Sequence, residues 1–399
     1  MNSFRFAGLY LLLLITSCQT KQKDILVVDM DNPKGSVDLS ISDLLDHISI
    51  VPLETNDDLL LSTSGTRFIV TDRHILVAAR DKLIQFSHQG KYIRTLAFRG
   101  NGPHEFRTMG GILVDEKREI LYYAPGLGNP QPISSIDLKS GSFLEPHTPD
   151  LPRYTINAID SEGMIYGSHD DRSLSSDAVL AYKYNPQNKT TTIYRGCHGF
   201  DIERYSHQIF MCGNRLFFRS AHYSDTLFSL EHDKITPQYV CTLKNPVPVD
   251  FYSTNGGIFL KFPISNTSFD LIEKSKLNVQ TRSDGMGYDV YSTPLAFLVV
   301  NKKGEQQSIR SIHIDPIALT IDTDDYIKNS FRYYNRINPI PIVSGSWAYL
   351  AVESYNMTDM IDTALNENQL STSQRKMLQE VALQIDKESN PVLIIGKIK

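Results

Sequence analysis

Phe68-Ile69-Val70, then Asp72-Arg73-His74, then Ile75-Leu76-Val77 is an apolar run, a polar turn and a second apolar run. The same phrase returns as Ile112-Leu113-Val114, Glu116-Lys117-Arg118 and Ile120-Leu121-Tyr122. Short β-branched runs bounded by polar turn residues read as β-hairpins. Four further copies follow: Ile156 to Ile159 with Ile165-Tyr166, Ile209 to Met211 with Leu216 to Phe218, Gly256-Gly257 before Ile258 to Leu260, and Ile342-Val343 with Trp347 to Val352. Leu76 to Leu121 is 45 residues and Leu121 to Ile165 is 44, the length of a four-stranded unit. The outer pair of such a unit is clearest at Lys82 to Phe86, the turn Ser87 to Gly90, and Lys91 to Phe98, where Ile84 and Phe86 alternate. One such sheet exposes two apolar faces, and repetition around an axis buries each face against the next sheet. The expected fold is all-β, a six-bladed β-propeller over residues 25–399. Its boundaries are least regular between 262 and 340, where a strand such as Ala296 to Val300 and an insertion are expected.

After Val352 the period changes. Met360, Ile361, Ala364 and Leu365 fit one helix, and Met377, Leu378, Val381, Ala382 and Ile385 a second. Ser371 with Gln374 has capping-box spacing, and Asn390-Pro391 requires the second helix to have ended. A short helical insertion over about 357–388 is expected, then a strand over 392–398. That strand closes the ring by pairing with Ile25 to Val28 or with Ser49 to Val51.

The N-terminus carries Arg5 and an apolar run from Phe6 to Ile15, too short to span a bilayer. It ends in Ile15-Thr16-Ser17-Cys18, which resembles the lipobox of bacterial lipoproteins. The resemblance implies a signal peptide over 1–17, a lipid-bearing Cys18, a tether over 18–24, and a place in the cell envelope, anchored to the outer membrane. Several acyl chains hold a protein far more firmly than one. Which way the protein faces stays open.

The 40 basic and 45 acidic residues leave a net charge of -5 without a basic stripe, which argues against nucleic acid as a partner. Cys197, Cys212 and Cys241 remain after Cys18, and no two have C-x-x-C spacing, so neither zinc nor thiol chemistry is expected of them. Asp322, Asp324 and Asp325 are not followed by the sixth-position glycine and twelfth-position glutamate of a calcium loop. No phosphate loop, dinucleotide fingerprint or hydrolase elbow is present, and no metal or cofactor is expected.

Several segments resemble the bacterial six-bladed β-propeller family, lipoprotein relatives of NHL-repeat propellers in the Gram-negative envelope. They are Val51-Pro52-Leu53-Glu54-Thr55, Gln85-Phe86 with Gly90-Lys91-Tyr92-Ile93, Gly100-Asn101-Gly102-Pro103-His104-Glu105-Phe106, Ser224-Asp225-Thr226-Leu227-Phe228, and Asn390-Pro391-Val392-Leu393. Their order along the chain is the specific part. The family pattern usually has glycine where His104 stands and tyrosine where Phe106 stands, so His104, with Glu105 beside it, becomes a candidate contact residue.

His169-Asp170-Asp171-Arg172 is the densest mixture of base, carboxylate and cation, and it follows a strand end where propeller loops gather. Arg219, His222 and Tyr223 occupy the corresponding place one unit later, so His169, Asp170, Arg219 and Tyr223 are candidates for one funnel. Tyr122-Tyr123 and Tyr333-Tyr334 are the aromatic pairs that would face outward or into a neighbouring sheet. The favoured function is a non-catalytic binding or scaffolding module for a glycan, a peptide or another envelope protein. The alternative, on fold analogy, is a lyase or hydrolase acting on polysaccharide or peptide through His, Arg and Tyr in the funnel.

Overall fold

The computed structural model describes residues 26–29, 35–56, 59–102, 104–125, 132–151, 154–168, 179–195, 208–212, 215–219, 226–231, 234–242, 250–254, 257–263, 282–283, 289–290, 295–301, 306–322, 342–366 and 370–399. These residues are mostly β, in several small sheets with helices near the C-terminus.

Sheet I contains Arg67–Val70, His74–Ala78, Lys82–Ser87 and Tyr92–Phe98 in chain order, all antiparallel. Sheet II contains Met109–Asp115, Ile120–Pro125 and Ser134–Asp137, and sheet III Ala158–Ile159, Ile165–Gly167, Val179–Asn185 and Thr190–Arg195. Sheet IV contains Gln208–Cys212, Arg215–Arg219, Thr226–Glu231 and Lys234–Thr242. Sheet V contains Asp250–Thr254, Gly257–Pro263, Leu295–Asn301 and Gln306–Ile314, with Leu319–Asp322 turning back on the last strand. A two-residue ladder, Arg282–Ser283 on Asp289–Val290, is inserted between its second and third strands. Sheet VI contains Ile342–Ser344, Trp347–Val352, Val392–Ile398 and, from the other end of the chain, Leu45–Pro52.

The hairpin turns follow from their side chains. Thr71 Oγ1 accepts the His74 N–H at 2.9 Å, Asp115 accepts that of Arg118 at 3.0 Å, and Asp160 accepts those of Glu162 and Met164, each at 2.9 Å. A short polar side chain near the turn thus satisfies amides that the ladder leaves over.

Alternation sends successive residues of a strand to opposite neighbours. Phe68, Val70, Ile75 and Val77 pack with Trp347, Tyr349, Leu393 and Ile395 of sheet VI. Ile69, Leu76 and Leu83 pack with Ile112, Leu121 and Tyr123 of sheet II. Leu113, Tyr122 and Ala124 pack with Ile165, Tyr182 and Tyr184 of sheet III. Ala158 and Ala181 then meet Ile209, Leu216 and Phe228 of sheet IV. Tyr122 and Tyr123 are therefore both buried, one toward each neighbour; Tyr333-Tyr334 lies outside the described residues.

Sheets V and VI share their core with the helices α2 (Ser354–Asn366) and α3 (Thr372–Ala382), labelled after the single turn α1 (Ile41–Leu44). Met357, Ile361, Ala364, Leu378 and Val381 fill the space between Ile312 and Ile314 on one side and Leu350, Val352, Val392 and Ile394 on the other. At the start of α3 the Ser371 N–H donates to Gln374 Oε1 at 3.0 Å and the Gln374 N–H to Ser371 Oγ at 3.3 Å, a reciprocal cap.

The two ends of the chain meet in sheet VI, where Val392 pairs with Pro52, Leu393 with Val51 and Ile394 with Ile50. Asn390, buried just before that strand, accepts the Leu61 N–H at 2.7 Å through Oδ1 and donates Nδ2 to the carbonyls of Glu54 at 2.8 Å and Leu59 at 2.7 Å. Trp347 Nε1 donates to Asp72 Oδ1 at 2.9 Å, with the Lys397 amine 5.8 Å above the indole and the His88 ring 4.5 Å away.

The first described residues run along the outer strands. Leu26–Asp29 lies parallel to Lys234–Thr242 of sheet IV, and Ser36–Ser40 parallel to Gln306–Ile314 of sheet V. Asp38 is held there by the Arg310 guanidinium and the Ser311 hydroxyl, which bring its pKa down to about 2.

Candidate functional site

The opening strands of sheets I, II, III, IV and VI line a common cavity of about 570 Å³. A volume of that size accommodates a small organic ligand. Its walls are aliphatic at Ile69, Ile112, Ile156 and Ile209, because these strands have no further strand on their inner side and close against one another. Close approach is enforced at Gly111, where a Cβ would lie 2.2 Å from the Ile156 carbonyl oxygen.

The polar groups of the cavity divide between its ends. Arg67 and Thr66 stand where the first strand of sheet I begins; Thr71 and Glu116 stand where the first strands of sheets I and II finish. Four residues of extended chain separate the two ends of the sheet I strand, about 13 Å. Arg67 is exposed and makes no ion pair among the described residues. At the other end, burial and then the neighbouring Asp72 charge push the Glu116 carboxyl above its ordinary value, partly offset by the Asp72 N–H and by Lys397. Asp72 itself is held low by the Trp347 indole N–H and the Lys397 amine. Asn157 and Ser344 complete the polar lining: Asn157 Oδ1 accepts from Thr155 Oγ1 at 2.8 Å, and Ser344 Oγ bridges the Val70 N–H at 3.0 Å and carbonyl at 3.2 Å.

A second cluster serves packing. Glu119, buried, faces Arg73 at 2.7 Å, Lys139 at 3.0 Å and His74 Nε2 at 3.6 Å, and Lys139 first, then Arg73, hold its carboxyl low. Burial keeps His74 below its usual value.

Of the residues expected from sequence, the structure describes His104, Glu105 and the backbone of Arg219. His104 is exposed and stacks on Phe143 of the sheet II periphery at 4.1 Å. The Glu105 carboxylate accepts the Gly102 N–H at 2.6 Å and occupies the place a Cβ on Gly100 would need, so it shapes its own loop. Neither residue lines the cavity. Arg219 ends its strand opposite Gln208; His169, Asp170, Tyr223 and Cys18 lie outside the described residues. Arg67 and Glu116 escaped sequence reading, although one signal was present. Asp72, Glu116 and Asp160 recur at intervals of 44 residues, one acid at the same turn of three successive sheets.

A family model described as a domain of unknown function, DUF4934, matches residues 23–397. No curated protein matches the chain. Among solved structures, a candidate exported protein of Bacteroides fragilis superposes with a TM-score of 0.59 at 12% identity, covering 94% of this chain and 100% of its own. A DUF4221-family member from Bacteroides vulgatus gives 0.45 at 10% identity, covering 89% of this chain and 97% of its own. The extracellular domain of a candidate hybrid two-component system from B. thetaiotaomicron gives 0.41 at 8% identity, covering 66% of this chain and 29% of its own. At such identities the first likeness concerns fold alone.

Proposed function

The chain belongs to the DUF4934 family, and on that premise we propose that it is an exported, lipid-anchored six-bladed β-propeller that binds a ligand in its axial cavity without transforming it. Support for the ring comes from the circuit of cores, each sheet from VI through I to IV packing on the next and V joined to VI through α2 and α3. The first strands of sheets IV and V touch, which supplies the remaining link. Support for export comes from the leader ending at Cys18 and from the fold relative that is itself described as exported.

The observation that carries binding is the cavity itself, aliphatic along its walls, with a guanidinium and a hydroxyl at one end and a carboxyl at the other. The full chain in detergent, immobilised and screened against small glycans and envelope peptides, tests it. Ligands are expected to bind unchanged and to be lost in Thr66→Trp, which narrows the mouth. Binding indifferent to that substitution, or turnover of a library member, would replace this function with the docking or enzymatic alternative.

A further inference from the structure

We propose that Arg67 makes the axial cavity selective for a small carboxylate-bearing, hydroxyl-rich solute that enters from the end opposite the acidic hairpin turns. This rests on the cavity being the binding site.

The charge distribution along the axis sets the direction. Asp72, Glu116 and Asp160 stand at the first hairpin turns of sheets I, II and III, and the Asp72 charge acts on the Glu116 carboxyl. A Cβ on Gly345, in the turn of sheet VI, would lie 3.0 Å from Glu116 Oε1, so this side chain reaches across the turns of neighbouring sheets. Lys397, 3.4 Å from Asp72, offsets part of the charge of these acidic turns, and the remainder disfavours an anion there. At the other end Arg67 is exposed on the wall, and no carboxylate among the described residues neutralises it. A guanidinium offers two parallel N–H donors that match a carboxylate's oxygens.

The remaining lining narrows the class. Arg67 is the only Lys or Arg among the described lining residues, which suits one negative charge better than the two of a phosphate monoester. Thr66 and Asn157 supply a hydroxyl and an amide suited to alcohols, and the volume of about 570 Å³ admits a molecule of disaccharide size. The lining aromatics Phe68 and Tyr349 are almost wholly buried in the seam, so flat aromatic acids find no ring to stack on.

The test is calorimetric titration of the full chain in detergent at low salt with galacturonate, which carries one carboxylate, with its neutral counterpart galactose and with inorganic phosphate. Wild type is expected to prefer galacturonate to both. Arg67→Gln should weaken it by about tenfold or more, Arg67→Lys by less, and galactose binding should not respond to either. Thermal melts of both variants should match wild type, because the side chain is exposed. Equal affinity for the charged and neutral sugars, both lost in Thr66→Trp, would overturn the acid selectivity and leave the cavity as the site. Phosphate binding as tightly as galacturonate would overturn the assignment to a singly charged carboxylate. No binding of any of the three would also overturn it, and if the wider ligand screen fails as well the cavity itself is lost as the site.

Discussion

The indole N–H of Trp347 donates to the Asp72 carboxylate at 2.9 Å, joining the sheet that contains both chain ends to the first sheet formed entirely from consecutive strands. Trp347 is the chain's single tryptophan, so its fluorescence reports this seam alone. Replacing it by Phe should cost about 1 kcal/mol, less than is usual for a bond to a charged group, since Asp72 is more than half exposed. Asp72 has its pKa lowered by the indole and by Lys397. Its stabilising effect is complete above the unfolded value of 3.8 and lost as pH falls through the lower folded value. A fluorescence titration from pH 6 to 2 should show the change below pH 4 in wild type and not in Asp72→Asn.

Asn390 supplies a sharper test. Alanine there strands the Leu61 N–H and the carbonyls of Glu54 and Leu59 around a buried site. A loss of about 3 kcal/mol in urea denaturation is expected. Aspartate should do worse than its size suggests, because two of the three partners are acceptors and would face a second acceptor. A change within 0.5 kcal/mol, the range of an ordinary surface position, would show that the knot is dispensable.

Gly90 has φ +82°, and a Cβ there would lie 2.1 Å from the Pro52 carbonyl oxygen. Alanine must either displace that strand or leave the left-handed region, at a cost of about 2 kcal/mol or more. Gly65, at φ +69° with nothing within 4 Å of its Cβ, isolates the conformational part. Gly90→Ala should lower Tm clearly further than Gly65→Ala.

Glu116 gives the opposite sign of pH dependence. Its carboxyl is raised by burial and by Asp72, so ionisation is harder in the folded chain than in the unfolded one. Stability is then lost as pH rises from the unfolded value of 4.5 through the folded one. Glu116→Gln, which keeps the size of the side chain and removes its charge, should raise Tm at pH 7 and leave it unchanged at pH 4. A gain independent of pH would assign the effect to packing.

Removal of Val392 to Lys399 strips the third strand from sheet VI and leaves Leu45–Pro52 without a partner there. The shortened chain should lose its cooperative thermal transition. An unchanged melting curve would mean that this strand does not close the fold.

The hairpins were legible because each apolar run is matched to its partner over a turn of a few polar residues; Ile69 does pair with Leu76, and Leu113 with Tyr122. The Ser371 cap was legible for the same reason, since both partners lie within one helical turn. Long-range relations were not. Val51 to Thr55, Gly90 to Ile93 and Asn390 to Leu393 read as three separate fingerprints, yet they form one contact. The Glu54 N–H donates to Gly90 at 2.8 Å, the Tyr92 N–H to the Glu54 carboxylate at 3.2 Å, and the Asn390 N–H to Thr55 at 2.8 Å. The cavity residues were hidden because an inward position is defined by other sheets, and Arg67 stands in a strand that looks like any other.

The strands added from the N-terminal side carry a kinetic consequence. Leu26–Asp29, Ser36–Ser40 and Leu45–Pro52 find their strand partners in residues 234–242, 306–314 and 392–398. A chain emerging from its N-terminus must therefore hold these three strands unpaired, the last of them until almost all the rest has been delivered. Such long loops make completion slow and leave sheet edges open to other chains meanwhile. Refolding yield should fall with protein concentration, and a helper that shields nascent edges would do most for this molecule in the last moments of its synthesis.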